Sequence, residues 1–148
     1  MAAERPVAIH PALRILGYAG LIPFVILPLI YWQPWWPSEL HAVVLFQLYS
    51  CLILGFMAGV LWPVLYQAET SLQRGVWAVS IVVASFVSFV LLAQAALLIQ
   101  AGLFLLLRLY EVHQQLDKVF PTGYAVLRNR LTAIVIVCHL WLFLLVSG

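Results

Sequence analysis

Six side chains carry whatever chemistry this sequence can place deep in a membrane: Gln47, Cys51, Ser85, Gln100, Cys138 and His139, each inside a long apolar run. Polar groups in such runs are costly and frequently functional. His139 alone among them titrates near neutral pH, which makes it the candidate for proton transfer or ligation. A proton relay or ion site also needs an acid at that depth. Glu39, Glu69, Glu111 and Asp117 all fall at or beyond the ends of the apolar runs. Haem needs axial ligands matched in depth, whereas His41 sits at an outer edge, His113 follows a run and His139 is central. Cys51, Cys138 and His139 have the softness for copper or zinc, but they show no metal-ligand spacing, and neighbours on a helix point roughly 100° apart. No P-loop, dinucleotide fingerprint, zinc-protease helix or nucleophile elbow occurs. The expectation is no catalytic set, no cofactor and no metal. Gln47, Ser85, Gln100 and His139 are then intramembrane polar residues, with a neutral His139 hydrogen-bonded across helices for about 0.6 kcal/mol.

The elements that position these groups follow from composition. The chain is 66% hydrophobic and 8% charged, with a mean hydropathy of +1.09, against about 25% charge in ordinary soluble domains. A soluble fold could not cover that much apolar surface. Spanning a core of about 30 Å takes about 20 helical residues, and five stretches qualify: 15–32, 40–63, 76–93, 94–110 and 131–146. The expected fold is an all-α membrane protein, a five-transmembrane-helix bundle forming a single integral domain over 1–148. Its third and fourth helices meet in a hairpin near Ala93-Gln94-Ala95. One long helix there would put Arg108–Arg130 on the wrong side.

Charge sets the orientation. The seven basic residues are Arg5, Arg14, Arg74, Arg108, Lys118, Arg128 and Arg130. With the N-terminus cytoplasmic and the C-terminus periplasmic, all seven face the cytoplasm, as the Lys/Arg bias of bacterial membrane proteins requires. The address implied is the bacterial inner (cytoplasmic) membrane, multi-pass. The first run is followed by Tyr31-Trp32-Gln33-Pro34-Trp35-Trp36-Pro37, with no small-residue cleavage site, so it reads as an uncleaved helix. Trp32, Trp35 and Trp36 fit an interfacial aromatic belt. Pro23 and Pro28 predict a kinked first helix. Cys51 and Cys138 both lie in spans, which argues against a disulfide framework.

Small residues predict where helices touch. Cys51, Gly55 and Gly59 recur every fourth position and share a face, and Ser80, Ala84 and Ser88 offer a matching stripe. Between the fourth and fifth helices, the connection 111–130 carries Val112, Leu116, Val119 and Phe120 at helical spacing, which predicts an amphipathic cytoplasmic helix on the inner surface. Pro121-Thr122-Gly123 ends it. Arg128 and Arg130 then stand at the start of the last helix, anchored by snorkelling or touching a lipid phosphate or an acidic partner.

Three motifs resemble the DUF3429 family of bacterial membrane proteins, which includes the mitochondrial transmembrane protein 69. They are Leu16-Gly17-Tyr18-Ala19-Gly20-Leu21-Ile22-Pro23-Phe24, Leu54-Gly55-Phe56-Met57-Ala58-Gly59-Val60-Leu61-Trp62 and Leu127-Arg128-Asn129-Arg130-Leu131-Thr132. Relatives often place His before the Trp of the second motif, where this chain has Leu61. The resemblance implies a fold and a membrane address and brings no activity. With no catalytic set and almost no soluble mass, the sequence points first to a non-enzymatic accessory or assembly factor of a larger membrane complex. A small carrier or lipid-handling protein comes second, and a quinone- or metal-binding redox subunit third. The expected partners are the lipid bilayer and other integral membrane proteins, not nucleic acid.

Overall fold

The computed structural model describes residues 8–33, 39–61, 72–92 and 94–148. Glu4, Arg5, Trp35, Trp36, Trp62, Glu69 and Thr70 lie outside them. Among the described residues the fold is all-helical: α1 (Pro11–Ala19), α2 (Ile22–Trp32), α3 (Glu39–Gly59), α4 (Leu72–Leu91), α5 (Ala95–His113) and α6 (Tyr124–Ser147), with a 3₁₀ turn at Leu116–Lys118. Taken together, α1 and α2 make one candidate span. With α3, α4, α5 and α6 there are five stretches long and apolar enough to cross a membrane, as expected for a multi-pass membrane protein.

The break in the first span comes at Gly20-Leu21, between α1 and α2, just before Pro23. Pro23 has no N–H to extend the ladder backwards. At the break itself, the Gly20 carbonyl accepts a hydrogen bond from the Tyr49 hydroxyl of α3 at 2.9 Å. That answers the requirement that backbone groups in lipid find partners inside the protein. Pro28, by contrast, sits within α2, which continues through it.

Each long helix turns one stripe inward. On α3 it runs through Phe46, Ser50, Leu54 and Ala58; on α5 through Leu97, Gln100, Phe104 and Glu111; on α6 through Arg128, Val135, His139 and Leu142. These three- and four-residue steps are helical spacing, and α5 packs most extensively on α6. The outward faces stay apolar, with Leu52, Val79, Phe86 and Leu105 exposed. That is the surface lipid chains cover.

Two ends of the bundle are distinct. At one, the reversal between α4 and α5 is tied to the end of α6 by the Gln94 amide donating to Ser147 Oγ at 2.8 Å. At the other, Ile9 N–H donates to Thr122 O at 3.4 Å and Arg74 donates to Gln114 at 3.2 Å. The described basic residues Arg14, Arg74, Arg108, Lys118, Arg128 and Arg130 all fall toward this second end.

The connection between α5 and α6 differs from the amphipathic helix expected through Val112, Leu116, Val119 and Phe120. Only the 3₁₀ turn forms, Leu116 is buried, and Val112 and Val119 are exposed. Two features replace the helix. Gln115 adopts a left-handed backbone (φ 55°), folding the chain back so that Asp117 reaches Arg108. Gly123 then turns at φ 91°, where a β-carbon would be strained. The helix α6 therefore begins at Tyr124, well before residue 131, and takes Arg128 into its own inward stripe.

Candidate functional site

At the basic end, α5 and α6 bury a four-member charge cluster. Arg108, Glu111 and Arg128 are 6%, 2% and 3% exposed. Arg128 forks onto the Glu111 carboxylate, with Nε at 3.0 Å from Oε2 and Nη2 on Oε1. Arg108 Nη1 donates to Glu111 Oε2 at 3.1 Å, while Nη1 and Nη2 fork onto Asp117 at 2.8 and 2.7 Å. Arg108 Nε donates to Asn129 Oδ1 at 2.5 Å. Two guanidinium groups and two carboxylates balance, so the cluster is neutral as a whole. Bidentate geometry of this kind is what offsets the loss of water around buried charge.

This placement corrects two expectations. Glu111 is not at the surface but inside the bundle end, because α5 continues to His113 and carries it on the buried face. Arg128 is not free for a lipid phosphate, since its fork is taken by Glu111; Arg130 remains exposed. The stripe on α4 is also rotated from the expected one. Ala78, Ile81, Ser85 and Ser88 are buried, while Ser80 and Ala84 face outward. On α3, Cys51 meets that buried face, accepting from Ser85 Oγ at 3.2 Å. Among the described residues Gly55 and Gly59 are not tight contacts: an added β-carbon would meet Val82 at 3.9 Å at the first and no described atom within 4 Å at the second. The close approach is at Gly17 instead, where a β-carbon would lie 3.3 Å from Leu131 Cδ1.

The central polar residues form two separate sets. His139 is fully buried, with Nδ1 2.8 Å from Val135 O and Nε2 2.9 Å from Ser50 Oγ. A carbonyl can only accept, so the proton sits on Nδ1 and Nε2 accepts from the Ser50 hydroxyl. Both ring nitrogens are thereby used. Rings of Phe24, Phe46 and Phe104 surround the imidazole at centroid distances of 5.7, 4.7 and 5.7 Å. The second set joins α3 and α5: Gln100 Nε2 donates to Gln47 O and to Cys51 Sγ, each at 3.2 Å. Cys138 is buried apart from Cys51. Among the described residues no three His, Cys, Asp or Glu side chains converge to hold a metal.

Among the described residues a cavity of about 610 Å³ lies between α1–α2, α3 and α6, extending toward the basic end. Ligand pockets commonly measure about 300–1,000 Å³. Its walls are apolar, among them Leu16, Phe24, Ile53, Phe56 and Leu131, and Arg128 and Thr132 line it from α6. The break at Gly20-Leu21 helps to open it, because α1 leans on α6 through Gly17 and buries none of its own residues. Sequence reasoning missed this cavity, Ser50 and the pairing of Arg108, Glu111, Asp117 and Arg128. The i, i+3 spacing of Arg108 and Glu111 was the available signal for the pairing.

The model of the DUF3429 family, described as a protein of unknown function, matches residues 9–144. The chain belongs to that family, and the match takes in α1 to α5 and α6 as far as residue 144. No curated protein and no solved structure matches it significantly.

Proposed function

We propose that this protein is a small, non-enzymatic lipid-handling protein of the bacterial inner membrane, N-terminus cytoplasmic and C-terminus periplasmic. It holds a chain-like apolar molecule in the cavity between α1–α2, α3 and α6. The observation that carries this reading is the cavity itself: about 610 Å³, apolar-walled, with a buried guanidinium at its lining. The orientation rests on the one-sided Lys/Arg distribution. Its partners are the bilayer's own lipids, and no nucleic acid is involved.

A second reading, an accessory or assembly factor for another integral membrane protein, draws on α3 at Gly59, where no described residue lies within 4 Å of an added β-carbon. A partner helix could approach there. Purification in mild detergent, followed by mass spectrometry of everything that co-elutes, separates the two. A stoichiometric lipid without a protein partner is the expected outcome. A stoichiometric protein partner with no retained lipid would replace the first reading by the second.

A further inference from the structure

The cavity has one polar feature whose bonding is incomplete. Arg128 is 3% exposed, and its Nε and Nη2 are taken by Glu111. Among the described residues its Nη1 meets only the sulfur of Met57, another cavity-lining side chain. A thioether is a weak acceptor, and a guanidinium carries five N–H donors. Burying a charged donor with so poor a partner is costly unless something in the cavity accepts from it. Thr132, one turn along α6 and also lining the cavity, adds a hydroxyl beside it.

Two arguments define the acceptor. The first is charge. Arg108 and Arg128 are already balanced by Glu111 and Asp117, so an anion would leave an uncompensated negative charge in a desolvated site. A neutral oxygen acceptor fits. The second is depth. The helix α6 has 24 residues, about 36 Å at 1.5 Å per residue, against a hydrocarbon core of about 30 Å. Arg128 is its fifth residue, about 6 Å from the end, which puts it near the boundary between hydrocarbon and headgroups. The ester carbonyls that join acyl chains to glycerol lie at that boundary.

Building on the lipid-handling reading, we propose that the cavity holds one acyl chain of a glycerolipid, with its ester carbonyl accepting a hydrogen bond from Arg128 Nη1. The apolar walls take the chain, and the guanidinium fixes its carbonyl end. The headgroup stays outside, so the site selects the linkage rather than the headgroup.

The test leaves the protein unaltered. Nanodiscs are made with equal amounts of phosphatidylethanolamine carrying ester-linked oleoyl chains and its ether-linked oleyl counterpart, plus a minor isoprenoid quinone. The molecules still bound after detergent extraction are weighed by native mass spectrometry. A hydrogen bond from a charged donor predicts about tenfold enrichment of the ester lipid. Equal retention of ester and ether lipid would overturn the Arg128 contact while leaving the lipid-handling reading intact. Preferential retention of the quinone would overturn the choice of ligand. Failure to retain any apolar molecule would remove both the contact and the reading beneath it.

Discussion

Glu111 and Arg128, 17 positions apart in the chain, meet as a forked ion pair between α5 and α6, and the carboxylate oxygen that accepts from Arg128 Nε also accepts from Arg108 Nη1. Glu111 is therefore the anion shared by two buried cations. Removing it strands Arg128 and leaves Arg108 with Asp117 alone.

Glu111→Ala should accordingly destabilise the protein by about 3–5 kcal/mol, the usual cost of breaking a buried pair from one side. Asp117→Asn should cost clearly less, since the Asp117 side chain is 28% exposed and water can replace it. The double change Glu111→Leu with Arg128→Met removes both charges and should recover part of the loss. Melting curves in one detergent give the ranking. Equal melting temperatures for Glu111→Ala and wild type would mean the pair is solvated.

His139 is expected to be structural. His139→Gln keeps a donor and an acceptor and should fold and function, whereas His139→Leu strands the Ser50 hydroxyl. A double-mutant cycle of Ser50→Ala and His139→Leu should give a coupling of about 0.6 kcal/mol, and not above about 1.7. A well-folded His139→Gln protein that fails to complement a deletion phenotype would instead make His139 a functional group.

Glycine tolerance should follow how closely neighbours approach each position. Gly17→Leu should lower the melting temperature markedly, because even a β-carbon would crowd Leu131 at 3.3 Å. Gly59→Ala should be nearly neutral, with no described residue within 4 Å to meet it. The reverse order would mean that α3, not α1, makes the close helix contact.

These contrasts show what the sequence exposed and what it hid. Apolar run length located the spans, because lipid demands a fixed helical length whatever the neighbours are. The proline rule gave a weakness in the first span but not its place. Gly20-Leu21 breaks where Tyr49 of α3 bonds the Gly20 carbonyl, and that is a tertiary fact. The amphipathic pattern over Val112–Phe120 misled for a similar reason. Asp117 is drawn to Arg108, and two charge-assisted bonds at 2.8 and 2.7 Å outweigh a weak helical propensity. On α4 Ser88 is buried as expected, but Ser80 and Ala84 miss the buried face by one residue, about 100° of helix, since small residues mark close packing only where a neighbour exists. The cavity left no signature at all. It arises from how α1 leans, not from any motif.

Orientation is tested by reporters active only in the periplasm. On the proposed orientation, which rests on the one-sided Lys/Arg distribution, fusion after Gly148 should give activity and fusion near Thr70 should not. Activity at Thr70 with silence at Gly148 would reverse the topology.

The central claim is that the space between α1–α2, α3 and α6 holds a lipid chain, and Ile53→Trp tests it most directly. Ile53 lines the cavity from α3 and is only part-buried, so a larger ring there fills empty volume instead of overpacking the core. Native mass spectrometry of wild type and variant, extracted identically, counts the lipid each retains. One tightly held lipid on the wild type and none on a variant with an unchanged melting temperature is the predicted result. The same lipid count on both proteins would contradict the account.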